Sequence, residues 1–246
     1  MNQSKIASMT EGGKKLSDIK QMLPDFCQGV RSIKAIDLKV EELIRKSGAK
    51  PSFKMVPGYK WSTCINVNDS IVHGIPGNGY LEEGDLVTID LGLFWQGFHV
   101  DSAISFTLGK GTKVVNEFLE AGREVLEKTI AIARPGKKIK DLSQMMQQGI
   151  EAKGYNVVRQ LTGHGVGRQL HESPPIPCFV STEPEMNVVL EEGMTIAIEV
   201  MYTQGHWLLT TDSDGWTMRT KDGKLSAVVE ETVLVTSQNP IALTAL

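Results

Sequence analysis

The chain has 246 residues, a formal net charge of −3 and 41% hydrophobic residues, which is typical of a globular protein. That length provides enough apolar surface for a substantial core, and we expect a single domain over residues 1–246. No long basic stretch could neutralise phosphates, and no run approaches the roughly 20 apolar residues of a membrane span, which argues against nucleic acid or a membrane as partner.

Two pairs of amphipathic helices are predicted, one pair in each half of the chain. Apolar residues at helical spacing indicate a helix over 4–23, ending before Pro24, and a second helix over 33–47. The segments 112–136 and 138–154 repeat this order with similar stop signals. The similarity of the two helix pairs is explained equally well by chance and by an internal duplication. A duplication would place two halves around a pseudo-twofold axis, with a site where they meet.

Strand-like segments follow each helix pair. They are rich in Val, Ile and Thr, and they are residues 62–67, 85–94, 97–108, 193–203 and 226–236. Helices combined with an antiparallel sheet in one body define an α+β fold.

Two of these strands carry one aspartate each, on either side of a short polar break. The segment "IDLGLFWQGFHVDSA" contains Asp90 and Asp101, and we predict that Trp95 and Gln96 form the hairpin tip. The aspartates would then face each other directly, with side-chain roots about 4.5–5.5 Å apart. Two charges about 4 Å apart repel by roughly 4 kcal/mol at an effective dielectric near 20. A shared proton, a basic partner or a cation must offset that repulsion.

Other titratable side chains lie in similarly apolar segments, namely His73, His164, His171, Glu199 and Glu230. Acids in apolar strands are costly to bury unpaired, and the basic residues cluster in the helices and loops instead. Two divalent cations would balance four ionised carboxylates. Carboxylates with an imidazole suit Mn²⁺, Fe²⁺, Co²⁺ or Zn²⁺, and a pair of ions can activate water and polarise a carbonyl together. The pattern favours a paired-metal hydrolase.

Several motifs occur in an order that resembles the type I methionine aminopeptidases. Besides the aspartate hairpin they are "HGIP", "GHGVGRQLHESP", "GMTIAIE", "DGWT" and "SAVVEETVLVT". The spacing of His164 and Glu199 leaves no room for the insertion of the type II enzymes. The resemblance implies the pita-bread fold, in which two pseudo-symmetric halves, each a helix pair with antiparallel strands, surround a central dinuclear metal site. It also implies a metal-dependent aminopeptidase that removes the initiator methionine from nascent proteins and peptides.

The resemblance also implies a metal-binding role for five residues. Asp90 would chelate one divalent ion, and His164 and Glu199 would bind the other. Asp101 and Glu230 would bridge the pair. A hydroxide held between the ions would attack the first peptide carbonyl, with Glu199 as proton acceptor.

Further residues match positions that contact the substrate. His171 would hydrogen-bond the carbonyl or the developing oxyanion. His73 would lie near the scissile nitrogen and help proton transfer. Tyr59, Cys64 and Trp216 would form the methionine pocket, because a thioether packs well against aromatic and sulfur surfaces.

Some positions concern a further ion or depart from the family pattern. Backbone carbonyls of Asn68, Ser70 and Ser226 match a monovalent-cation site for Na⁺ or K⁺. Val200 follows Glu199 where the family has proline, and Leu170 replaces an aromatic pocket residue.

Two other functions stay open. One is a related metallo-aminopeptidase or Xaa-Pro peptidase with another N-terminal preference, and the other is a non-catalytic binding module of the same fold. The odd number of cysteines, three, fits a reducing cytoplasm. We expect a cytoplasmic monomer whose partner is the N-terminal methionine of nascent peptides. Action on nascent chains is consistent with transient ribosome contact.

Overall fold

The computed structural model describes residues 3–245, so residues 1, 2 and 246 of the expected domain lie outside the described residues. The helices of the described part are α1 (Gln3–Gly29), α2 (Ile33–Lys46), α3 (Lys113–Ile132) and α4 (Ile139–Glu151). All four were predicted. No helix among residues 3–245 is long and apolar enough to cross a membrane.

The predicted end of the first helix is wrong, because α1 continues through Pro24 to Gly29. Proline removes one backbone hydrogen bond, at a cost of about 3 kcal/mol in a helix interior. Leu23 and Cys27 on either side are fully buried in the core under the sheet. Tertiary packing of that apolar face holds the last turns in helical form.

A group of strands follows each pair of helices along the chain. They are β1 (Lys50–Pro51), β2 (Thr63–Val67), β3 (Ser70–Val72), β4 (Leu86–Trp95), β5 (Phe98–Thr107), β6 (Asn156–Val157), β7 (Thr162–Gly165), β8 (Glu172–Pro177), β9 (Thr195–Thr203), β10 (Leu209–Thr211), β11 (Met218–Thr220), β12 (Ser226–Leu234) and β13 (Ile241–Ala242). The five predicted strands are confirmed as β2, β4, β5, β9 and β12. The others are short, and β7 and β8 carry glycine or proline, so they lack a clear alternating pattern.

A large antiparallel sheet joins the two halves of the chain. Its central order is β1-β4-β5-β12-β9-β7-β8, while β10, β11 and β3 form a separate small sheet. Helix α1 packs on β4 and β5, and α3 packs on β9 and β12. Each half therefore combines a helix pair with long strands, and the β5–β12 pair connects the halves at the centre.

The register of the β4–β5 hairpin differs from the prediction. Gln96 and Gly97 form the tip, with Trp95 opposite Phe98. Both tip residues have positive φ, 47° and 90°, which suits a two-residue turn that matches the strand twist. A tip at Trp95 would require positive φ at a bulky residue, which is strongly disfavoured. Asp90 and Asp101 are consequently diagonal neighbours rather than directly opposed, yet they still share a face.

A close contact between helix α3 and strand β9 allows a prediction about stability. A Cβ at Gly122 of α3 would lie 2.5 Å from the hydroxyl of Tyr202 and 2.6 Å from its ring. Tyr202 is fully buried, and its hydroxyl donates to the Phe118 carbonyl at 2.8 Å. We expect Gly122→Ala to lower the free energy of unfolding by about 1–3 kcal/mol through overpacking. That loss outweighs the roughly 1 kcal/mol that alanine adds to helix propensity.

Chemical or thermal unfolding of the variant measures this effect. The matched control is Gly29→Ala at the end of α1, where an added Cβ meets nothing within 4 Å. Equal stability of the two variants would contradict the packing argument.

Candidate metal centre and substrate pocket

The sheet register gathers carboxylates into a row across four strands. Asp90 of β4 is paired with Ala103 of β5, Ala103 with Glu230 of β12, and Glu230 with Glu199 of β9. Directly paired residues share a face. Three acids therefore project from the face opposite the helices, and the small Ala103 lies between two of them.

A second row runs two residues further along the same strands. It contains Asp101 on β5, followed by Thr232 of β12 and Ala197 of β9, which is paired with His164 of β7. Residues two apart in a strand point the same way. Asp101 and His164 consequently lie on the same face as the first row.

The five residues predicted as metal ligands come together in one cluster. Oxygens of Asp90, Asp101 and Glu230 lie within 4.8 Å of one another, and ligand atoms of His164, Glu199 and Glu230 do the same. His164 Nε2 is 3.5 Å from Glu199 Oε1 and 3.8 Å from Asp101 Oδ2. A third group joins Asp101, His164 and His171, so the three sets of donors overlap at Asp101, His164 and Glu230.

The electrostatics of this cluster fit a divalent cation. Asp90 Oδ1 and Glu230 Oε1 are buried and have no hydrogen-bond partner among residues 3–245. Burial, reinforced by repulsion between neighbouring carboxylates, raises the pKa of Asp90, Glu199 and Glu230 well above the usual range. Burial also raises the pKa of Asp101 to about 7. A cation among these oxygens would satisfy the orphaned atoms and favour the ionised carboxylates.

His164 is oriented as a metal-binding imidazole requires. Its Nδ1 lies 2.8 Å from the Gly165 carbonyl, and since a carbonyl only accepts, Nδ1 carries the proton. The Nε2 lone pair is thereby left facing the carboxylates. Burial, with a smaller contribution from His171, lowers the pKa of His164 to about 4. The imidazole is neutral at physiological pH, the state that binds metals.

Two further predicted histidines line the same cleft. The His171 ring lies 4.5 Å from the His164 ring, and His73 lies 6.5 Å from Trp216, edge to face. His73 adopts φ 57°, a left-handed conformation that costs a side-chain-bearing residue roughly 1–2 kcal/mol. Desolvation in the cleft lowers the pKa of both His73 and His171. Both can therefore act as neutral hydrogen-bonding groups at neutral pH.

An apolar pocket adjoins the carboxylates. Tyr59, Cys64 and Trp216, the three predicted pocket residues, all line a cavity of about 410 Å³ that also borders the acidic cluster. The rings of Tyr59 and Trp216 are 5.1 Å apart. The hydroxyl of Tyr59 donates to the Thr63 carbonyl at 2.8 Å, which fixes the ring. Aromatic rings and the Cys64 thiol therefore line the cavity beside the carboxylates.

Sequence reasoning missed part of this pocket. Phe53 lies in the wall, 6.4 Å from Tyr59 between ring centroids, and Trp61 packs on the other side of Tyr59. The available signal was the density of aromatic residues in a segment without helical or strand periodicity. Leu161 and Met201 also line the cavity, and no local pattern marks them.

The two departures from the family pattern have defined places. Leu170 is buried among the pocket residues. Val200 pairs with Val229 inside an unbroken β9–β12 ladder, so the ladder fixes the strand at Glu199 without a proline. For the monovalent-cation prediction, Ser226 N–H donates to the Asn68 carbonyl at 2.9 Å. The hydroxyl of Ser70 bonds to Val67 nearby, and that site stays a prediction.

Comparison with known proteins agrees with this geometry. Residues 7–237 match the model of metallopeptidase family M24. A methionine aminopeptidase of Clostridium perfringens is 38% identical over 245 residues, covering 100% of this chain and 98% of the relative. The crystal structure of a methionine aminopeptidase from Thermotoga maritima has a TM-score of 0.93 at 37% identity, covering 100% and 98% of the two chains.

The fold and the metal-binding cluster therefore define a metallopeptidase. The chain belongs to metallopeptidase family M24, and its full-length relatives place it among the methionine aminopeptidases of that family. The expected pita-bread fold is confirmed. A prolidase from Pyrococcus furiosus shares the fold alone, with a TM-score of 0.79 at 24% identity, and this chain covers 65% of its length. Family membership implies that the chain binds divalent metal.

The shifted pKa values predict how the metal-free protein responds to pH. The pKa of Asp101 is about 7 in the folded protein and about 3.9 in the unfolded chain. Between these two pH values the folded state therefore binds more protons than the unfolded state. The stability of the metal-free protein therefore falls as pH rises through this range. The lowered pKa of His164 makes stability rise with pH, but only below pH 6.5, which is about the pKa of histidine in the unfolded chain. Above that pH the carboxylates dominate.

We expect the chelated protein to lose stability between about pH 6.5 and 8, as the coupled carboxylates of the cluster ionise. Unfolding temperature at each pH measures the loss. Saturating Mn²⁺ serves as the control and should remove the slope, because the bound ion keeps the carboxylates ionised. A chelated protein that is equally stable at both pH values would contradict the assignment.

Proposed function

We propose that the chain removes N-terminal methionine from nascent proteins and peptides. The observation that carries this proposal is the convergence of four carboxylates and one neutral imidazole beside a largely apolar pocket. Its aromatic and sulfur lining is suited to a flexible thioether. The names of the full-length relatives point to the same substrate.

We further propose that two divalent ions occupy the cluster, drawn from Co²⁺, Mn²⁺, Fe²⁺ or Zn²⁺. Asp90 would bind one ion and His164 with Glu199 the other, while Asp101 and Glu230 would be shared, as the overlapping donor sets favour. When bound, such ions supply Lewis acidity and a deprotonated water. The buried unpaired oxygens of Asp90 and Glu230 support this placement.

The remaining roles belong to side chains of the cleft. Glu199, at the edge of the cluster, accepts the proton of the attacking water. His171, neutral in the cleft, donates an N–H to the carbonyl oxygen as charge develops there. His73 lies across the cavity beside Trp216, where it can move a proton at the scissile nitrogen. Tyr59, Cys64 and Trp216 hold the methionine side chain, and the backbone carbonyls of Asn68, Ser70 and Ser226 form the Na⁺ or K⁺ site.

The setting of the reaction is also a proposal. The three cysteines are free and buried, which supports a reducing cytoplasm. We propose a monomer that meets its substrates as they leave the ribosome.

A chelation and reconstitution assay tests the proposed reaction. We expect cleavage of Met-Ala-Ser to disappear with chelator and to return with Co²⁺, Mn²⁺ or Fe²⁺. The same panel includes Ala-Pro peptides, because an Xaa-Pro peptidase of this fold is the alternative activity. A large preference for Ala-Pro would reject the methionine assignment, and activity that no ion restores would reject metal catalysis. A metal titration without binding would favour a non-catalytic module.

Replacing Asp101 with asparagine tests the proposed shared ligand. We expect Asp101→Asn to lower kcat/KM more than roughly 100-fold, since losing even a partner of a ligand costs about 10–100-fold. The metal-free variant should be at least as stable as the parent, because a buried charge is removed. Near-normal turnover would contradict the assignment.

The control for this variant is Asp37→Asn. Asp37 is an equally buried aspartate outside the cluster, and it accepts hydrogen bonds from Ser62 and Thr63. This change should lower stability while leaving Co²⁺ binding by the folded protein intact.

A further inference from the structure

A buried lysine lies behind the acidic cluster, on the helix side of the sheet. Lys20 of α1 is only 1% exposed. Its ammonium is 2.6 Å from Glu231 Oε1 and 2.7 Å from Ser102 Oγ. A fully buried lysine is rare unless it is paired. The same ammonium thus connects the two central strands, β5 and β12.

The two partners of Lys20 occupy special positions in these strands. Ser102 directly follows Asp101, and Glu231 directly follows Glu230. Because alternate residues of a strand point to opposite faces, Ser102 and Glu231 face the helix while Asp101 and Glu230 face the cleft. Lys20 therefore joins the strands at the residues that directly follow the two proposed shared ligands.

The connection continues into the backbone of the proposed ligands. Ser102 Oγ donates to the carbonyl of Glu230 at 2.7 Å. On the next residue pair, Thr232 Oγ1 accepts from the Asp101 N–H at 2.9 Å and donates to the Asp101 carbonyl at 2.8 Å. Side-chain hydroxyls thus fix the backbone of both Asp101 and Glu230 across the strand junction.

These side-chain bonds compensate for a short backbone ladder. Strands β5 and β12 are paired only at Glu230 with Ala103 and at Glu231 with Ser102. The spacing of the two halves of the sheet at the cleft therefore depends on groups other than the main chain. Folding alone does not require a charge here, since an apolar pair of similar volume often stabilises a core as well.

We propose that Lys20 is a positioning residue for the metal centre, acting through Ser102 and Glu231 to set the separation of Asp101 and Glu230. This inference rests on the proposed metal-binding function. Lys20 touches neither substrate nor metal. Its contribution is the fixed distance between two strands that come from different halves of the chain.

The sharpest test compares two serines of β5. Ser102→Ala breaks the link from Lys20 to the Glu230 carbonyl and leaves the Lys20–Glu231 ion pair in place. Ser105→Ala is the matched control, because Ser105 is equally buried and donates to the Val228 carbonyl of β12 at the same 2.7 Å. Each variant loses one buried hydroxyl that bonds across the same strand junction.

Calorimetric titration of the folded, metal-free proteins with Co²⁺ and the visible absorption of bound Co²⁺ provide the readouts. We expect Ser102→Ala to bind Co²⁺ about 10–100-fold more weakly, as changes behind metal ligands typically do, with an altered spectrum. Ser105→Ala should retain the parental affinity and spectrum. Parental affinity in Ser102→Ala, or equal weakening in both variants, would overturn the proposal.

A second set of variants tests Lys20 itself, and it keeps the proposal testable if Ser102→Ala does not fold. Lys20→Met leaves the partly buried Glu231 without its cationic partner, although Thr244 Oγ1 still donates to it, so the variant should unfold at lower temperature. Adding Glu231→Met removes that uncompensated charge and should restore the unfolding temperature but not the Co²⁺ affinity. Restoration of both would reduce Lys20 to a purely structural role and overturn the proposal. Absence of Co²⁺ binding in the parent protein would instead refute the proposed function.

Discussion

The carboxylates on one face of the sheet repel one another, and the stability of the fold depends on how that repulsion is offset. A single pair of such charges about 4 Å apart costs roughly 4 kcal/mol at an effective dielectric near 20, against a total stability of about 5–15 kcal/mol for a typical domain. Asp90 and Glu230 each bury an oxygen that no group in the described part of the chain satisfies. Cation binding turns this unfavourable cluster into a stable one, so metal affinity and fold stability are coupled at the same residues.

Much of this arrangement was readable from the sequence, for a definite reason. An acid within an apolar strand carries a large burial cost, so Asp90, Glu199 and Glu230 stand out wherever such strands are recognised. The long strands and the four helices follow from periodicity in the same way. The exact hairpin register does not, because it depends on the backbone angles that Gln96 and Gly97 adopt.

Features that depend on contacts between distant segments were beyond local patterns. The continuation of α1 past Pro24 reflects burial against the sheet. Phe53 belongs to the pocket only because the fold returns it to Tyr59. Lys20 looks like an ordinary surface residue of an amphipathic helix, and its burial appears only when Glu231, far along the chain, is placed beside it.

The division of the cleft between two halves has a consequence for synthesis of the protein. Asp90 and Asp101 belong to the first half, whereas His164, Glu199 and Glu230 come from the second. Pairings across such long separations form late and slowly. A chain still growing on its own ribosome therefore lacks part of the proposed donor set until the strand with Glu230 has emerged. Until then the proposed peptide hydrolysis cannot begin.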